Sequence, residues 1–222
     1  MTDIETIFLS AFAGIKGLVF DCDGVLLDSR RANIAFYNCI RAGVDLPFLT
    51  PEQENYVHMS TFDQALDYII PQNLRRALPE LLRRIENDLD YYSLLSLEDG
   101  LLPLLNWLRA NDIHMAICTN RIGPLESMLG KFNLTGYFTP VQTASNSIPK
   151  PHPDGLLKIL KAWSADSFEI AFLGDSAVDE DAARSADVQF WSFKNEELHA
   201  DLHIPDFASL HRWIMYFAKQ IT

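Results

Sequence analysis

Two aspartates stand two residues apart in Phe20-Asp21-Cys22-Asp23-Gly24, directly after the apolar run Gly17–Phe20. Residues two apart on a strand project from one face, so both carboxylates are presented together at a strand end. Like charges about 4 Å apart repel by roughly 4 kcal/mol at an effective dielectric of 20, so a stable pair calls for a cation or a shared proton. Taken alone, the motif could equally be a polar turn. Thr119, Asn120 and Arg121 follow the run His114–Cys118 and precede Gly123-Pro124. A hydroxyl and backbone amides at the opening of a helix suit an anion, or simply an N-cap. Lys150 lies in Ile148-Pro149-Lys150-Pro151-His152-Pro153-Asp154, where prolines deny it a helix and aim one ammonium at one point; otherwise it is an exposed loop lysine. Gly174-Asp175-Ser176 is followed by Asp179, one turn into a helix, which brings two more carboxylates to a strand end. Hard oxygen donors of this kind suit Mg²⁺ with water and a substrate phosphate. Glu180 and Asp181 need no more explanation than acids favoured by a helix dipole.

These residues need elements to position them. Five short apolar runs read as buried parallel strands: Gly17–Phe20, His114–Cys118, Val141–Thr143, Ile170–Leu173 and Val188–Trp191. Helical patterns lie between them at Leu101–Ala110, Gly123–Phe132, Asp154–Trp163 and Val178–Ala186. Alternation of this kind predicts an α/β protein with a doubly wound parallel sheet. All four polar clusters fall at carboxyl ends of its strands, the edge where open α/β sheets bind ligands. From Ser29 to about Ser96 no strand is expected, only helices around Arg31–Ala42, Phe62–Ile70 and Leu74–Tyr92. The last carries one apolar stripe of Leu74, Leu78, Leu81, Leu82, Ile85, Leu89 and Tyr92. The expected organisation is an α/β core of residues 1–27 and 97–222, with a helical cap of residues 28–96 inserted after the first strand and overhanging the site.

Four clusters in this order, all on one edge, resemble the haloacid dehalogenase superfamily of phosphotransferases. The matching stretches are Phe-Asp-Cys-Asp-Gly-Val-Leu-Leu-Asp-Ser from Phe20, Ile-Cys-Thr-Asn-Arg from Ile117, Lys-Pro-His-Pro-Asp from Lys150 and Gly-Asp-Ser-Ala-Val-Asp from Gly174. The insert looks like the helical cap of phosphoglycolate-phosphatase-like and beta-phosphoglucomutase-like members. The resemblance implies that Asp21 is a nucleophile forming an aspartyl-phosphate, and that Asp23 is the general acid and base. It implies that Asp21, the Asp23 carbonyl and Asp175 hold Mg²⁺, with Asp179 steadying them. Thr119 and Lys150, with Gly24 and Asn120, are the expected phosphate-binding positions. His58, Ser60 and Thr61, just before a cap helix, and Arg121 are candidates for substrate selectivity; Ser60 or Thr61 could instead cap the helix that follows. The function implied is a phosphatase acting on a small phosphorylated metabolite. A phosphomutase or a non-catalytic phospho-ligand binder are the alternatives, while the carboxylate at Asp23 argues against a dehalogenase.

Composition narrows the field further. The 222 residues are 48% apolar and 22% charged, which suits a packed globular chain rather than a disordered or fibrous one. Eighteen basic against 30 acidic residues leave a net charge of −12, which repels nucleic acid and anionic membrane. The densest basic stretch, Arg75, Arg76, Arg83 and Arg84, is interleaved with acids and reads as a solvated helix face. Three cysteines, Cys22, Cys39 and Cys118, read as small core residues in a reducing compartment. His199 and His203, four apart with Pro205 close behind and no nearby cysteine, do not read as a metal pair. An acidic start and the lack of a long apolar run give the expectation of a cytoplasmic protein without signal or membrane span. Oligomeric state and the individual substrate leave no mark in the sequence.

Overall fold

The computed structural model describes residues 8, 11–60, 62–88, 91–122 and 125–221. They form two compact units, residues 1–27 with 97–222, and residues 28–96. In the first unit, strands β1 (Gly17–Phe20), β4 (His114–Cys118), β5 (Val141–Gln142), β6 (Ile170–Gly174), β7 (Gln189–Phe193) and β8 (Leu202–Ile204) make one sheet in the order β5-β4-β1-β6-β7-β8. Among the described residues each pair of neighbouring strands in it is parallel. In register, Leu18 stands between Met115 and Ala171, and Phe20 between Ile117 and Leu173.

β1 is apolar without alternation because it is covered on both faces. Leu18, Val19 and Phe20 are wholly buried, each contributing about 1.5–3 kcal/mol on burial. The crossovers are α5 (Leu101–Ala110), α6 (Leu125–Lys131), α7 (Asp154–Trp163) and α8 (Ala177–Ser185), and α9 (Phe207–Ile221) closes the unit. Leu101, Leu104, Leu105 and Leu108, at helical spacing, form the buried face of α5. Val19, Ala116, Leu156, Ile159, Phe172, Ala182 and Phe190 join one core cluster.

The chain passes from β1 to β4 and β5 on one flank, then returns to β6, β7 and β8 on the other. That reversal is the topological switch point of a doubly wound sheet, the place where open α/β sheets bind ligands at the carboxyl ends of their strands. The sheet has six strands where five apolar runs were expected. The added one, β8, is short and pairs with β7 at the sheet edge, with only Leu202 and Ile204 buried.

The second unit contains α1 (Arg30–Ala42), α2 (Pro51–Met59), α3 (Phe62–Ile69) and α4 (Leu78–Asp88). Short strands β2 (Leu27–Asp28) and β3 (Ser96–Leu97) pair at its two ends. The long helix expected over Leu74–Tyr92 is divided: a 3-10 turn at Gln72–Ala77 precedes α4, and another covers Tyr91–Leu94. Helix α2 was not expected, and it places His58 on a helix rather than in a loop. Its start carries a full capping box between Thr50 and Gln53, with proline in the first turn. The core of the unit is Tyr37, Ile40, Leu49, Val57, Ala65, Leu66, Ile69, Ile70, Leu78 and Ile85.

Candidate active site

The polar clusters leave the carboxyl ends of β1, β4 and β6. Asp21 continues the β1 ladder by one step, its N–H donating to the Leu173 carbonyl at 2.8 Å. Thr119 does the same after β4, donating to the Gln142 carbonyl at 3.0 Å. Both residues are buried, so their side chains are fixed by the sheet rather than by a free loop.

Lys150 reaches the cluster from the proline-flanked loop. Its backbone is gripped on both sides by one side chain, because the Asn120 amide donates to the Lys150 carbonyl at 2.8 Å and accepts from its N–H at 2.7 Å. The ammonium then donates to Asp21 Oδ1 at 2.7 Å and to Asp179 Oδ1 at 2.5 Å. Asp179 is wholly buried, and its other oxygen accepts from the Ser176 N–H at 3.1 Å and from the Ser176 hydroxyl. The same residue therefore caps α8 and anchors the lysine.

One oxygen each from Asp21, Asp175 and Asp179 lies within 4.8 Å of the others. Three ionised carboxylates against one ammonium leave two negative charges uncompensated. Burial pushes the Asp21 carboxyl up to about 7; Lys150 opposes this and Asp179 adds to it. Burial, then Asp179 and Asp21, raise Asp175 well above the carboxylate range. For Lys150, desolvation pulls down, but Asp179 and Asp21 more than offset it and keep the ammonium protonated. A cluster that resists full ionisation by itself, built from hard oxygen donors, fits a divalent cation.

Two glycines make this convergence possible. Gly24 has φ +79°, and a Cβ there would lie 2.0 Å from Asp175 Oδ2. At Gly174 a Cβ would lie 2.3 Å from the Asp179 Cβ. Gly24 was expected to bind phosphate, but its N–H is donated to the Leu27 carbonyl at 2.8 Å. What it provides is room for Asp175. Asn120, also expected on phosphate, has both ends of its amide engaged by Lys150.

Asp23 does not share the carboxylate cluster. Its two oxygens accept from Arg121, Oδ1 from Nη2 at 2.7 Å and Oδ2 from Nε at 3.0 Å. The metal role expected of Asp23 runs through its carbonyl, so this geometry leaves that expectation where it stood. Arg121 and Asp23 are 98 residues apart, and no spacing in the chain announces the pair. The same holds for Asn195, whose amide donates to the Asp175 carbonyl at 2.9 Å. Of the cap candidates, Ser60 ends α2 and its hydroxyl donates back to the Tyr56 carbonyl at 2.7 Å. It therefore closes the helix before it. Thr61 and the His58 side chain lie outside the described residues, as does the expected helix opening at Gly123-Pro124.

Cys22 and Cys118 are buried and free, and burial raises both thiols, Cys118 to about 12. They are packing groups, as expected, not nucleophiles. A surface groove of about 710 Å³ lined by Glu180, Arg184, Phe190, His199 and His203 holds none of the clustered carboxylates. Among the described residues neither histidine belongs to a group that could hold a metal.

This chain is similar to known proteins. The phosphoglycolate phosphatase of Cereibacter sphaeroides is 25% identical over 201 residues, covering 85% of this chain and 89% of its own. That of Yersinia pestis is 27% identical over 188 residues, 79% of each chain. A crystal structure of a HAD-superfamily hydrolase, subfamily IA, variant 1, from Geobacter sulfurreducens superposes with a TM-score of 0.74 at 32% identity, covering 90% of this chain and 96% of that one. The model of the haloacid dehalogenase-like hydrolases matches residues 18–193, from within β1 to the end of β7. This chain belongs to that family of hydrolases.

Proposed function

We propose that the protein is a Mg²⁺-dependent phosphatase that hydrolyses a small phosphomonoester through an aspartyl-phosphate on Asp21. The observation that carries this reading is the cluster of Asp21, Asp175 and Asp179, in which Lys150 bridges the buried Asp21 and Asp179. A carboxylate oxygen of Asp21 attacks phosphorus and the ester P–O bond breaks. Asp23 gives a proton to the departing oxygen. As a carboxylate, Asp23 then takes a proton from water, the water oxygen bonds to phosphorus, and the bond to Asp21 breaks to release phosphate. Lys150 holds the phosphoryl oxygens beside the nucleophile. Thr119 Oγ1 accepts from the Arg121 N–H at 3.2 Å, which leaves its own proton to donate to a phosphoryl oxygen. Asn120 acts through Lys150 by fixing its backbone. Mg²⁺, held by Asp21, Asp175 and the Asp23 carbonyl with Asp179 in support, would neutralise charge so that one anion can approach another.

In this reading the helical unit of residues 28–96 is a cap that governs substrate choice, and the enzyme works in the cytoplasm. The relatives named phosphoglycolate phosphatase make 2-phosphoglycolate the first substrate to test. The test is phosphate release from a panel of small phosphomonoesters, with Mg²⁺ or with chelator, for the wild type and Asp21→Asn. Release that needs Mg²⁺ and disappears in Asp21→Asn is expected. Isomerised sugar phosphate without free phosphate would replace hydrolysis by a mutase reaction, and saturable binding without turnover would leave a binding protein.

A further inference from the structure

We infer that Arg121 reads a second anionic group on the substrate, a carboxylate carried by the leaving group within about two bonds of the ester carbon. The inference rests on the phosphatase reading above and names the residue that would make it selective.

Arg121 is held at both its backbone and its side chain. Its N–H donates to Thr119 Oγ1 at 3.2 Å, and its carbonyl accepts from the Ala144 N–H at 3.3 Å. The guanidinium lies on Asp23 as a two-point fork, one nitrogen to each carboxylate oxygen. A fork of this kind matches a carboxylate and gives geometric selectivity that a point charge lacks. Its present occupant is a carboxylate of the protein itself.

That occupant has other work to do. In the proposed reaction Asp23 must turn an oxygen to the ester oxygen, yet both of its oxygens face the guanidinium. The pair is only partly covered, with 14% of the Arg121 side chain and 35% of that of Asp23 exposed. An incoming carboxylate offers the guanidinium the same two-point partner as Asp23, so exchanging one for the other keeps the fork filled. A substrate carboxylate entering the fork would take the place of Asp23 and leave it free to face the ester oxygen. Asp23 touches the ester oxygen and Arg121 touches Asp23, so the competing group must lie close to that oxygen. The phosphate ester of a small 2-hydroxy acid has this layout. A substrate without the second anion would leave Asp23 paired.

The test compares kcat/KM for 2-phosphoglycolate, ethyl phosphate and ethylene glycol bisphosphate in the wild type, Arg121→Gln and Arg121→Lys. The wild type is expected to prefer 2-phosphoglycolate to ethyl phosphate by about tenfold or more, and Arg121→Gln to reduce that ratio by a similar factor. Arg121→Lys should fall between, because it keeps the charge and loses the fork. Equal proportional losses on all three substrates would overturn the inference and leave Arg121 as a support for Asp23. A wild-type preference for the bisphosphate, lost in Arg121→Gln, would overturn the carboxylate assignment in favour of a second phosphate. If the wild type hydrolyses none of the three but releases phosphate from other esters, this inference falls and the phosphatase reading stands; if it releases phosphate from no ester, both fall. Thermal melting of Arg121→Gln checks its fold, and the Arg121→Lys ratio decides the matter if that variant is unfolded.

Discussion

At the scale of single residues, the site depends on which partner each charged atom meets. Without a divalent cation, Asp21 has a folded pKa of about 7 against an ordinary 3.8. Between these values the folded state binds the extra proton, so stability falls as pH rises from about 4 to about 7. Asp21→Asn resembles the neutral form at every pH. In chelator, denaturant melts should therefore find Asp21→Asn more stable than the wild type at pH 8, by about 1 kcal/mol or more, with the gap closing towards pH 4. A gap that does not change with pH would show that Asp21 ionises freely. Asn120→Ala removes both bonds to the Lys150 backbone. It should lower kcat more than it raises KM, and cost about 1–2 kcal/mol in stability, since two net hydrogen bonds are lost. Asp21, Asp23, Thr119, Asp175 and Asp179 stand out in the sequence because each lies just beyond an apolar run, and Lys150 because prolines flank it. The contacts between them do not stand out. Asn120 gripping a backbone 30 residues away, and Arg121 gripping a carboxylate 98 residues away, follow from strand neighbours that no local pattern records.

At the scale of elements, periodicity finds what is buried on one face or two. Gly17–Phe20, His114–Cys118, Leu101–Ala110 and Asp154–Trp163 carry the same bounds in the sequence reading and in the structure. Leu202–Ile204 escapes because three residues are too few to show a period. Helix α2 escapes for a different reason. Its polar run has little apolar periodicity, and its signal is the capping box at Thr50-Pro51-Glu52-Gln53. Helix α9 begins in a similar way, with Asp206 accepting from the Ser209 N–H at 2.6 Å and from its hydroxyl at 3.0 Å. The Ser209 backbone bond holds the Asp206 carboxyl below its ordinary value. Its stabilisation is thus complete above about pH 4 and fades as pH falls through the lowered folded pKa. Asp206→Ala should cost about 1 kcal/mol at pH 7, and the difference should shrink below pH 4. A difference that persists in acid would place the loss in packing and not in the cap.

At the scale of the whole molecule, the order β5-β4-β1-β6-β7-β8 brings residues from four distant stretches to the carboxyl edge beside β1. Alternating apolar runs and helical stripes made the doubly wound class legible. Strand order, set by which flank each crossover takes, was not written in any one segment. A cluster of carboxylates that resists ionisation stores a preference for a cation in the folded state alone. Millimolar Mg²⁺ should raise the melting temperature of the wild type, and Asp175→Asn should reduce the rise. An equal rise in both would remove Asp175 from the binding set. No helix among the described residues is long and apolar enough to cross a membrane.

In the proposed reaction phosphorus passes through Asp21. Nitrophenolate leaves without a proton from Asp23, so the Asp23→Asn variant with para-nitrophenyl phosphate should form the intermediate and then fail to hydrolyse it. Rapid mixing with Mg²⁺ should give a burst of about one nitrophenolate per chain. Acid quench and peptide mass analysis should place the phosphate on the peptide that carries Asp21. No burst, or phosphate on any other residue, would contradict the account.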